Sequence, residues 1–529
     1  MATTYDAILI GGGHNALVTA AYLARAGRKV LVLERRELVG GCAVTEELWP
    51  GFKMSTASYV NSLFRPEIIR DLDLKRHGFE MLPRSPSSFT PFPDGRYLLM
   101  GPDKEMTHRE VSKFSKKDAA ALPKYEAMLE RVADFLEPTL VQTPPNPWSM
   151  KPGNLIELLK LGLGFRKLGT DGQKAIEILT GAANPILDRW FESEELKATI
   201  ATDAIIGAFA TPSMPGTAYV LFHHVMGECN GVRGVWGYVK GGMGALSNAI
   251  AAAAKEKGAE IRVNATVTKI LVSGGQATGV VLADGTELKA KKVISGIDAN
   301  LTFLKLMDPR QLPEDFVESV RAIDYASGSA KVNLALSEVP DFSCLRGNTV
   351  GPQHRGTIHL CPTREYIEKA FDPAKYGYIS KDPIVEATIA SSLDDTVAPK
   401  GMHVMSMFTQ YFPNTLAKDA GSLEENKKNY AERCIDIMTE YAPNFRKAVL
   451  NYQVLAPQDL ERVYGLTGGN IMQGTMSLSS LSFMRPVPGY ADYRTPIRGL
   501  YMCGAATHPG GGVMGACGYN AAREILRDG

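Results

Sequence analysis

Apolar and polar residues alternate in blocks at the start of the chain and predict a strand–helix–strand unit. Tyr5 to Ile10 form a short apolar run of the kind that is buried in parallel sheets. A helical pattern extends from His14 to about Ala26, and Gly27 follows where a C-terminal cap is expected. Lys29 to Glu34 (KVLVLE) predict the second strand.

Two later stretches repeat this combination of glycine turns, strands and helices. Residues 240–298 predict a glycine turn, a helix, a strand and a β-meander. Near the C-terminus, Leu500 to Cys503 predict a strand that leads into a glycine-rich loop and a helix over residues 513–528. The regions between these units, residues 76–227 and 306–469, are rich in apolar helices and strands.

Two apolar stretches in the first of these regions are relevant to membranes. Residues 198–222 contain Asp203 and two prolines, which favours a core segment or a pocket wall over a membrane span. Residues 154–169 alternate leucine, isoleucine and phenylalanine with Lys160, Arg166 and Lys167. This pattern predicts an amphipathic helix that lies on a membrane surface, packs on the core or forms an oligomer interface.

Composition indicates an ordinary globular protein of two or more domains. The 529 residues are 45% hydrophobic and 22% charged, and the net charge of +1 excludes non-specific nucleic-acid binding. Seven scattered cysteines without a C-x-x-C pair exclude disulfide exchange and a zinc ribbon, and we expect no metal site. With a strand starting near Tyr5 and no visible transit or signal peptide, we expect a cytoplasmic protein.

The first turn carries a dinucleotide-binding pattern, G-x-G-x-x-A. Gly11 permits a tight turn, Gly13 lets a pyrophosphate approach the backbone, and Ala16 keeps the helix close to the strand. The helix N-terminus directs free N–H groups at the phosphates. Glu34, 21 residues after Gly13, is placed to accept hydrogen bonds from the adenosine ribose. The alternative is an ordinary glycine turn.

Several motifs resemble FAD-containing flavoproteins. The doublet Gly40–Gly41 and the unit at 240–298 resemble flavoproteins of the glutathione-reductase type. The stretches "GGGHNALVTAAYL" and "THPGGGVMGA" resemble the phytoene desaturase-like family of carotenoid and retinoid oxidoreductases. The similarity covers nearly the whole chain, with Ala16 in place of a third glycine and Gln473 where relatives usually carry histidine.

The resemblance implies bound FAD and a set of contact residues. In the family, the strand around Val267 lays its backbone against the adenine. The C-terminal glycine loop passes the ribityl chain and the ring, and the last helix points its N-terminus at the N1–C2=O edge of the flavin. The implied cofactor-binding residues are Gly11, Gly13, His14, Asn15, Ala16, Glu34, Arg35, Gly40, Gly41, Val267, Gly504, Gly511, Gly512 and Val513.

The same resemblance implies an α/β fold with a discontinuous arrangement. A Rossmann-type FAD domain of the glutathione-reductase type would comprise residues 1–75, 228–305 and 470–529. An α+β substrate domain would comprise residues 76–227 and 306–469 and cover the flavin ring. A second G-x-G-x-x-G is not visible, so a nicotinamide domain is not expected.

The expected activity is that of an FAD-dependent dehydrogenase or desaturase. A hydride would pass between a C–C bond of an apolar or lipid-like substrate and flavin N5, with a quinone or oxygen as electron acceptor. His508 is the catalytic candidate, and the alternative is a structural histidine bonded to a carbonyl. Arg485 would bind an anionic substrate group or pair with an acid.

Other activities and partners stay open at this point. An FAD-dependent amine oxidase and a flavin-containing regulator or scaffold without turnover are the competing functions. Besides the hydrophobic substrate, the partners left open are a membrane surface in peripheral contact and a second copy of the chain. The resemblance also leaves a mitochondrial setting open.

Overall fold

Helices and strands alternate along residues 4–529, which the computed structural model describes. The strands are β1 (Thr4–Ile10), β2 (Val30–Leu33), β3 (Glu46–Trp49), β4 (Phe52–Met54), β5 (Met81–Pro83), β6 (Ser88–Pro91), β7 (Tyr97–Met100), β8 (Glu228–Cys229), β9 (Val232–Arg233), β10 (Gly237–Val239), β11 (Glu260–Arg262), β12 (Val267–Ser273), β13 (Gln276–Leu282), β14 (Glu287–Ser295), β15 (Ser329–Leu336), β16 (Thr357–Leu360), β17 (Ile384–Thr388), β18 (His403–Gln410), β19 (Val449–Leu455) and β20 (Leu500–Met502). The helices are α1 (His14–Arg25), α2 (Pro66–Asp71), α3 (Lys104–Ser112), α4 (Lys116–Leu136), α5 (Pro152–Lys167), α6 (Asp171–Thr180), α7 (Ala183–Trp190), α8 (Glu194–Ala201), α9 (Thr217–His223), α10 (Met243–Glu256), α11 (Glu314–Arg321), α12 (Arg364–Phe371), α13 (Leu423–Tyr441), α14 (Phe445–Ala448), α15 (Pro457–Tyr464) and α16 (Ala516–Arg527).

The first sheet collects strands from three separate parts of the chain. Its parallel strands lie in the order β11-β2-β1-β14-β20, and β12 and β13 extend β14 as an antiparallel meander. Helices α1, α10 and α16 bury one face of the parallel part. The predicted strand–helix–strand unit, meander and final strand and helix are confirmed, with bounds shifted by one to three residues.

The second sheet has the order β19-β15-β18-β17-β16-β6-β7. Most neighbours are antiparallel, and β6 and β16 run parallel. All eight residues of β15 are buried, because α13 packs on one face and the other face lines a cavity. The hairpin β3–β4 packs against this sheet through Phe52 and Met54, so residues from the first predicted segment contact both sheets.

Helices α3 to α9 form a separate layer over the cavity. Residues 198–222 form α8, α9 and their connection and are largely buried, as predicted for a core segment or pocket wall. Between residues 4 and 529, no helix is both long and apolar enough to span a membrane.

The predicted helix at residues 154–169 forms as α5, but none of its residues is buried. Leu159 and Leu163 are 63% and 50% exposed. Phe165 packs against Phe135 of α4, with 5.8 Å between ring centres, so the C-terminal part of α5 contacts the core, whereas the side of α5 that carries Leu159 and Leu163 is open to a membrane surface or a second copy.

Candidate functional site

A cavity of about 600 Å³ extends from the carboxyl ends of β1 and β2 to one face of the second sheet. Its first half is lined by the glycine turn before α1 and by the loop after β20. Its second half is lined by β15 to β18 and by α4, α8 and α9. Ligands of open parallel sheets bind at the carboxyl ends of the strands, which is where the first half lies.

The glycine turn provides backbone space for a ligand. Gly11 has a φ of +87°, and the Gly40 N–H donates to the Gly12 carbonyl at 2.8 Å, which ties the two glycine loops together. A Cβ added to Gly13 would meet no protein atom within 4 Å. Packing within the protein therefore does not require glycine at position 13. The absence of a side chain there leaves room for a group in the cavity.

Two helix N-termini converge on this half of the cavity. Helices α1 and α16 cross so closely that a Cβ on Gly518 would lie 2.0 Å from the Asn15 carbonyl oxygen, and Thr19 Oγ1 donates to the Gly518 carbonyl at 3.0 Å. Two positive dipole ends next to each other favour anions such as phosphate.

His14, at the start of α1, has an unsatisfied buried nitrogen. Its Nε2 has no hydrogen-bond partner among the described residues, although the side chain lines the cavity. Burial lowers the pKa of His14 to about 4, so the ring is neutral. A buried polar atom without a protein partner is normally hydrogen bonded to a ligand or water, and a dinucleotide has polar groups that can form this bond.

Glu34 is held by the backbone on both sides. Its Oε2 accepts from the Gly12 N–H at 2.7 Å, and its Oε1 accepts from the Arg36 N–H at 2.8 Å. Each carboxylate oxygen retains a further lone pair, and the side chain lines the cavity. This position fits the predicted contact with a ribose, which stays a prediction.

The structure brings together most of the predicted cofactor-binding residues. Those that line the cavity are Gly11, Gly13, His14, Asn15, Glu34, Gly40, Gly41, Gly511, Gly512 and Val513. Those that do not are Ala16, Arg35, Val267 and Gly504.

Packing explains where these four residues lie instead. A Cβ on Gly296 would be 2.8 Å from the Ala16 Cβ, and a Cβ on Gly504 would be 2.6 Å from the Gly296 carbonyl oxygen. Ala16 and Gly504 therefore let backbone segments approach each other. Arg35 Nη2 donates to the Val463 carbonyl at 2.7 Å. Val267, the first residue of β12, packs against the apolar cluster that includes Ile8 and Ile10 of β1.

His508 also lies outside the cavity lining. Its Nε2 lies 2.9 Å from the Thr139 carbonyl oxygen, and the Tyr493 hydroxyl donates to the His508 carbonyl at 2.9 Å. Burial lowers the pKa of His508 to about 4. The arrangement is the one expected of a structural histidine, so the structure does not bring His508 to the place where a substrate would react.

The C-terminal glycines are crowded by the protein itself. A Cβ on Gly510 would lie 2.7 Å from Met476 Sδ, and one on Gly511 would lie 2.7 Å from Met472 Sδ. Packing within the protein therefore already requires glycine at both positions, because Gly510 has a φ of +115° and a Cβ on Gly511 would also lie 2.9 Å from the Met472 Cα. Gly511 still lines the cavity.

Arg485 has a structural role that sequence reasoning missed. It is 2% exposed, and its guanidinium donates to main-chain carbonyls, including those of Ala505 at 2.9 Å and Thr475 at 3.2 Å. Among residues 4–529, no carboxylate lies within 4 Å of the Arg485 guanidinium, so the predicted pairing of Arg485 with an acid is wrong. Arg485 joins the loop after α15 to the loop after β20.

The floor of the second half carries a row of side chains across four strands. Lys331 on β15 is opposite Phe408 on β18, Phe408 is opposite Glu386 on β17, and Glu386 is opposite His359 on β16. All four side chains line the cavity. Neighbouring strands are about 4.8 Å apart, so Glu386 is about 10 Å and His359 about 14 Å from Lys331 along the row.

Lys331 lies at the end of this row that contacts Tyr59, a residue of the segment that follows the Gly40–Gly41 loop in the chain. Its Nζ donates to Ser406 Oγ, which in turn donates to Asn333 Oδ1 at 3.0 Å, and Asn333 Nδ2 donates to the Thr56 carbonyl at 3.1 Å. The Nζ of Lys331 is 3.8 Å from the centre of the Tyr59 ring. Burial holds the pKa of Lys331 well below its ordinary value of 10.5, which favours the neutral amine.

The other end of the row is ionisable and polar. Asp203, from the turn after α8, and Arg84 line the cavity together with Glu386 and His359. Burial raises the pKa of Asp203, the Glu386 carboxylate adds to that rise, and the Arg84 guanidinium opposes it.

Sequence reasoning missed Lys331, Glu386 and His359. Each is a single ionisable residue within a short apolar strand, in the runs "SAKVNL", "IVEAT" and "TIHL". Burying an ionisable residue within such a strand costs free energy, so the pattern indicates that the residue has a role inside the protein. Their grouping depends on the sheet register, which the sequence does not reveal.

The fold and the glycine-lined cavity are those of a flavoprotein oxidoreductase. Residues 17–363 match the family of flavin-containing amine oxidoreductases, and the chain belongs to that family. Its fold is a mixed α/β fold of the amine-oxidase kind, and FAD is its cofactor.

Three comparisons place the chain among known proteins. Pyridine nucleotide-disulfide oxidoreductase domain-containing protein 2 of Rattus norvegicus is 46% identical, over 99% of this chain and 94% of that protein. A lycopene-forming phytoene desaturase of a Paracoccus species is 24% identical, over 97% and 95% of the two chains. The crystal structure of an oxidoreductase from Methanosarcina mazei superposes with a TM-score of 0.59 at 18% identity, over 98% and 99%. The resemblance read from the sequence motifs is confirmed.

Proposed function

We propose that the protein is an FAD-dependent dehydrogenase that oxidises a bond in the apolar part of an elongated substrate. The observation that carries this proposal is the continuous cavity, which joins the glycine loops to a floor with Lys331 at one end. When bound, FAD supplies the hydride acceptor, N5 of its ring. The similarity to a phytoene desaturase supports oxidation of a C–C bond.

We further propose that the first sheet binds FAD in the manner of the glutathione-reductase type. The FAD domain would comprise residues 1–75, 228–305 and 470–529, and the substrate domain residues 76–227 and 306–469. The origin of the two sheets in these segments supports the division. The orphaned Nε2 of His14 and the open space beside Gly13 support the dinucleotide at the first half of the cavity.

The residues of the second half have distinct tasks in this proposal. Lys331, whose pKa is lowered by burial, accepts at Nζ the proton that the substrate loses together with the hydride. Ser406 and Asn333 fix the position of that nitrogen. Tyr59 stacks on Phe408, with 6.2 Å between ring centres, and both keep water from the reacting bond.

Anaerobic reduction of the bound flavin by long-chain alkenes, alcohols and amines tests the proposal. We expect one of these probes to bleach the flavin, and Lys331→Met to slow that step by about 10²–10⁴-fold at equal FAD content. Lys418→Met, at an exposed lysine, serves as the control. A Lys331→Met protein that is reduced as fast as the wild type contradicts the role of Lys331.

Oxidation of a C–N bond is the second candidate, because carboxylates in the cavity favour cationic substrates. Product analysis separates the two reactions, since amine oxidation releases an aldehyde or ketone and dehydrogenation leaves a new C=C bond. Reoxidation by a quinone and by oxygen, with peroxide measured, identifies the electron acceptor. A scaffold without turnover leaves the cost of burying Lys331 and Glu386 unexplained.

A further inference from the structure

His223, the last residue of α9, lies where the two halves of the cavity meet. A Cβ on Gly512, in the loop after β20, would lie 2.8 Å from His223 Cε1 and 3.5 Å from its Nε2. Both residues line the cavity. A hydride can pass between the flavin and a substrate only where the cofactor half adjoins the substrate half, so we expect the ring of the cofactor beside this pair.

The imidazole of His223 has an unsatisfied nitrogen at this place. The residue is 3% exposed, and its Nε2 has no hydrogen-bond partner among the described residues. His224, the next residue, lines the same cavity, but its Nδ1 lies 2.8 Å from the Val220 carbonyl oxygen. A buried polar atom without a partner costs free energy, so we expect a group in the cavity to form the missing bond with His223.

The surroundings of the Gly510–Gly512 loop favour an electron-rich group. A Cβ on Gly510 would lie 3.5 Å from Arg485 Nε, and this buried guanidinium has no carboxylate within 4 Å among residues 4–529. Helix α16, whose N-terminus points at this half of the cavity, adds a second positive end. Next to two positive features, the group in the cavity presents a hydrogen-bond acceptor.

The imidazole is able to donate to such an acceptor. Burial lowers the pKa of His223 to about 3, so the ring is neutral at ordinary pH and carries one N–H. With an acceptor opposite Nε2, the favoured tautomer has its proton on that nitrogen.

We propose that His223 Nε2 donates a hydrogen bond to the bound flavin and thereby raises the reduction potential of the cofactor. The reduced ring is more electron-rich than the oxidised ring, so a donor beside it binds the reduced form more tightly. This role requires FAD but no particular substrate, and it therefore extends beyond the proposed dehydrogenase reaction.

The midpoint potential of the bound FAD tests this role in the wild type and in three variants: His223→Leu, His223→Gln and His224→Leu. It is measured against reference dyes during slow reduction by xanthine and xanthine oxidase, so no substrate is needed. We expect His223→Leu to make reduction about tenfold less favourable, which for a two-electron couple lowers the potential by about 30 mV. His223→Gln, whose amide nitrogen reaches the position of Nε2, should restore most of the potential.

His224→Leu is the matched control, because His224 lines the same cavity with its Nδ1 next to a main-chain carbonyl. It should leave the potential unchanged. His223→Asn is a second variant without the donor, since its shorter amide reaches only the position of Nδ1, and it should match His223→Leu. An unchanged potential in both of these His223 variants overturns the proposal, and so does an equal decrease in His224→Leu.

FAD content is recorded on the same samples. If His223→Leu and His223→Asn lose FAD, retention of FAD by His223→Gln supports the hydrogen bond, and its loss there as well overturns the proposal. A wild type that contains FAD but is reduced by none of the alkenes, alcohols and amines contradicts the dehydrogenase reaction, and the potentials still decide the role of His223. A protein that a substrate does reduce, with a potential independent of His223, overturns the role of His223 alone.

Discussion

Lys331 shows how one residue can carry both a cost in stability and a chemical role. Its neighbours Ala330 and Val332 are fully buried on the other face of β15, and its own side chain is 3% exposed. A charged amine in this position would lose its hydration, so the neutral form is favoured. The neutral amine is also the form that accepts a proton.

Lys331→Met should therefore stabilise the protein in a pH-dependent way. The pKa of Lys331 is lower in the native than in the unfolded state, so between those values the unfolded chain binds more protons. Wild-type stability rises with pH in that window by up to about 1.4 kcal/mol per pH unit. The advantage of Lys331→Met in urea unfolding should shrink as the pH rises toward the unfolded-state pKa of lysine, about 10.4. A constant difference contradicts the lowered pKa.

His508→Ala tests the structural reading of the histidine. We expect normal FAD content and an unchanged reduction rate per bound flavin, with a loss of about 2–4 kcal/mol in stability from the cavity and the lost bond to Thr139. His508→Gln, whose amide can reach the same carbonyl, should recover part of this loss. A rate reduced a hundredfold at normal FAD content would return His508 to a catalytic role.

Local motifs were predictable at the residue scale, and long-range groupings were not. Gly11, Gly13 and Glu34 follow from a turn whose requirements lie within one short segment. Glu386 and His359 meet Lys331 only through strand register, and the contact of His508 with the Thr139 carbonyl joins residues 369 positions apart, which the sequence does not reveal. Sequence motifs therefore located the cofactor half of the cavity and left the substrate half without residues.

Helix α5 is the element whose formation was predictable but whose packing was not. Most of its apolar residues, including Leu159 and Leu163, are exposed, and Glu157, the acid in its middle, pairs with Lys160 at 2.7 Å. Lys151, Arg166 and Lys167 have no acid within 4 Å among the described residues. Apolar side chains with uncompensated basic ones favour an anionic lipid surface over a second copy of the same positive helix.

We expect the protein to float with vesicles that contain phosphatidylglycerol and to stay behind with pure phosphatidylcholine. Leu159→Glu combined with Leu163→Glu should abolish flotation, because both side chains are exposed on α5. Leu450→Glu, at an exposed leucine of β19, should leave it intact. A wild type that does not float but elutes as a dimer from size exclusion places a second copy on α5 instead.

At the scale of the whole molecule, two sheets from interleaved segments enclose one cavity. The parallel sheet contributes glycine loops and helix N-termini, and the mixed sheet contributes a row of side chains. The predicted α/β class and the FAD cofactor are confirmed. The substrate half differs from the expected apolar pocket, since the end that carries Glu386 and His359 is ionisable.

The central claim is that FAD occupies the first half of this cavity, and its stoichiometry in three purified proteins tests that claim most directly. We predict one FAD per chain in the wild type and in Gly162→Val, whose new Cβ is also clear of protein atoms within 4 Å but lies on the exposed helix α5. Gly13→Val should fold with an unchanged far-ultraviolet spectrum and bind no FAD, because its side chain fills the space for the pyrophosphate. A Gly13→Val protein with a full complement of FAD, or a folded wild type that cannot be loaded with it, would contradict the account.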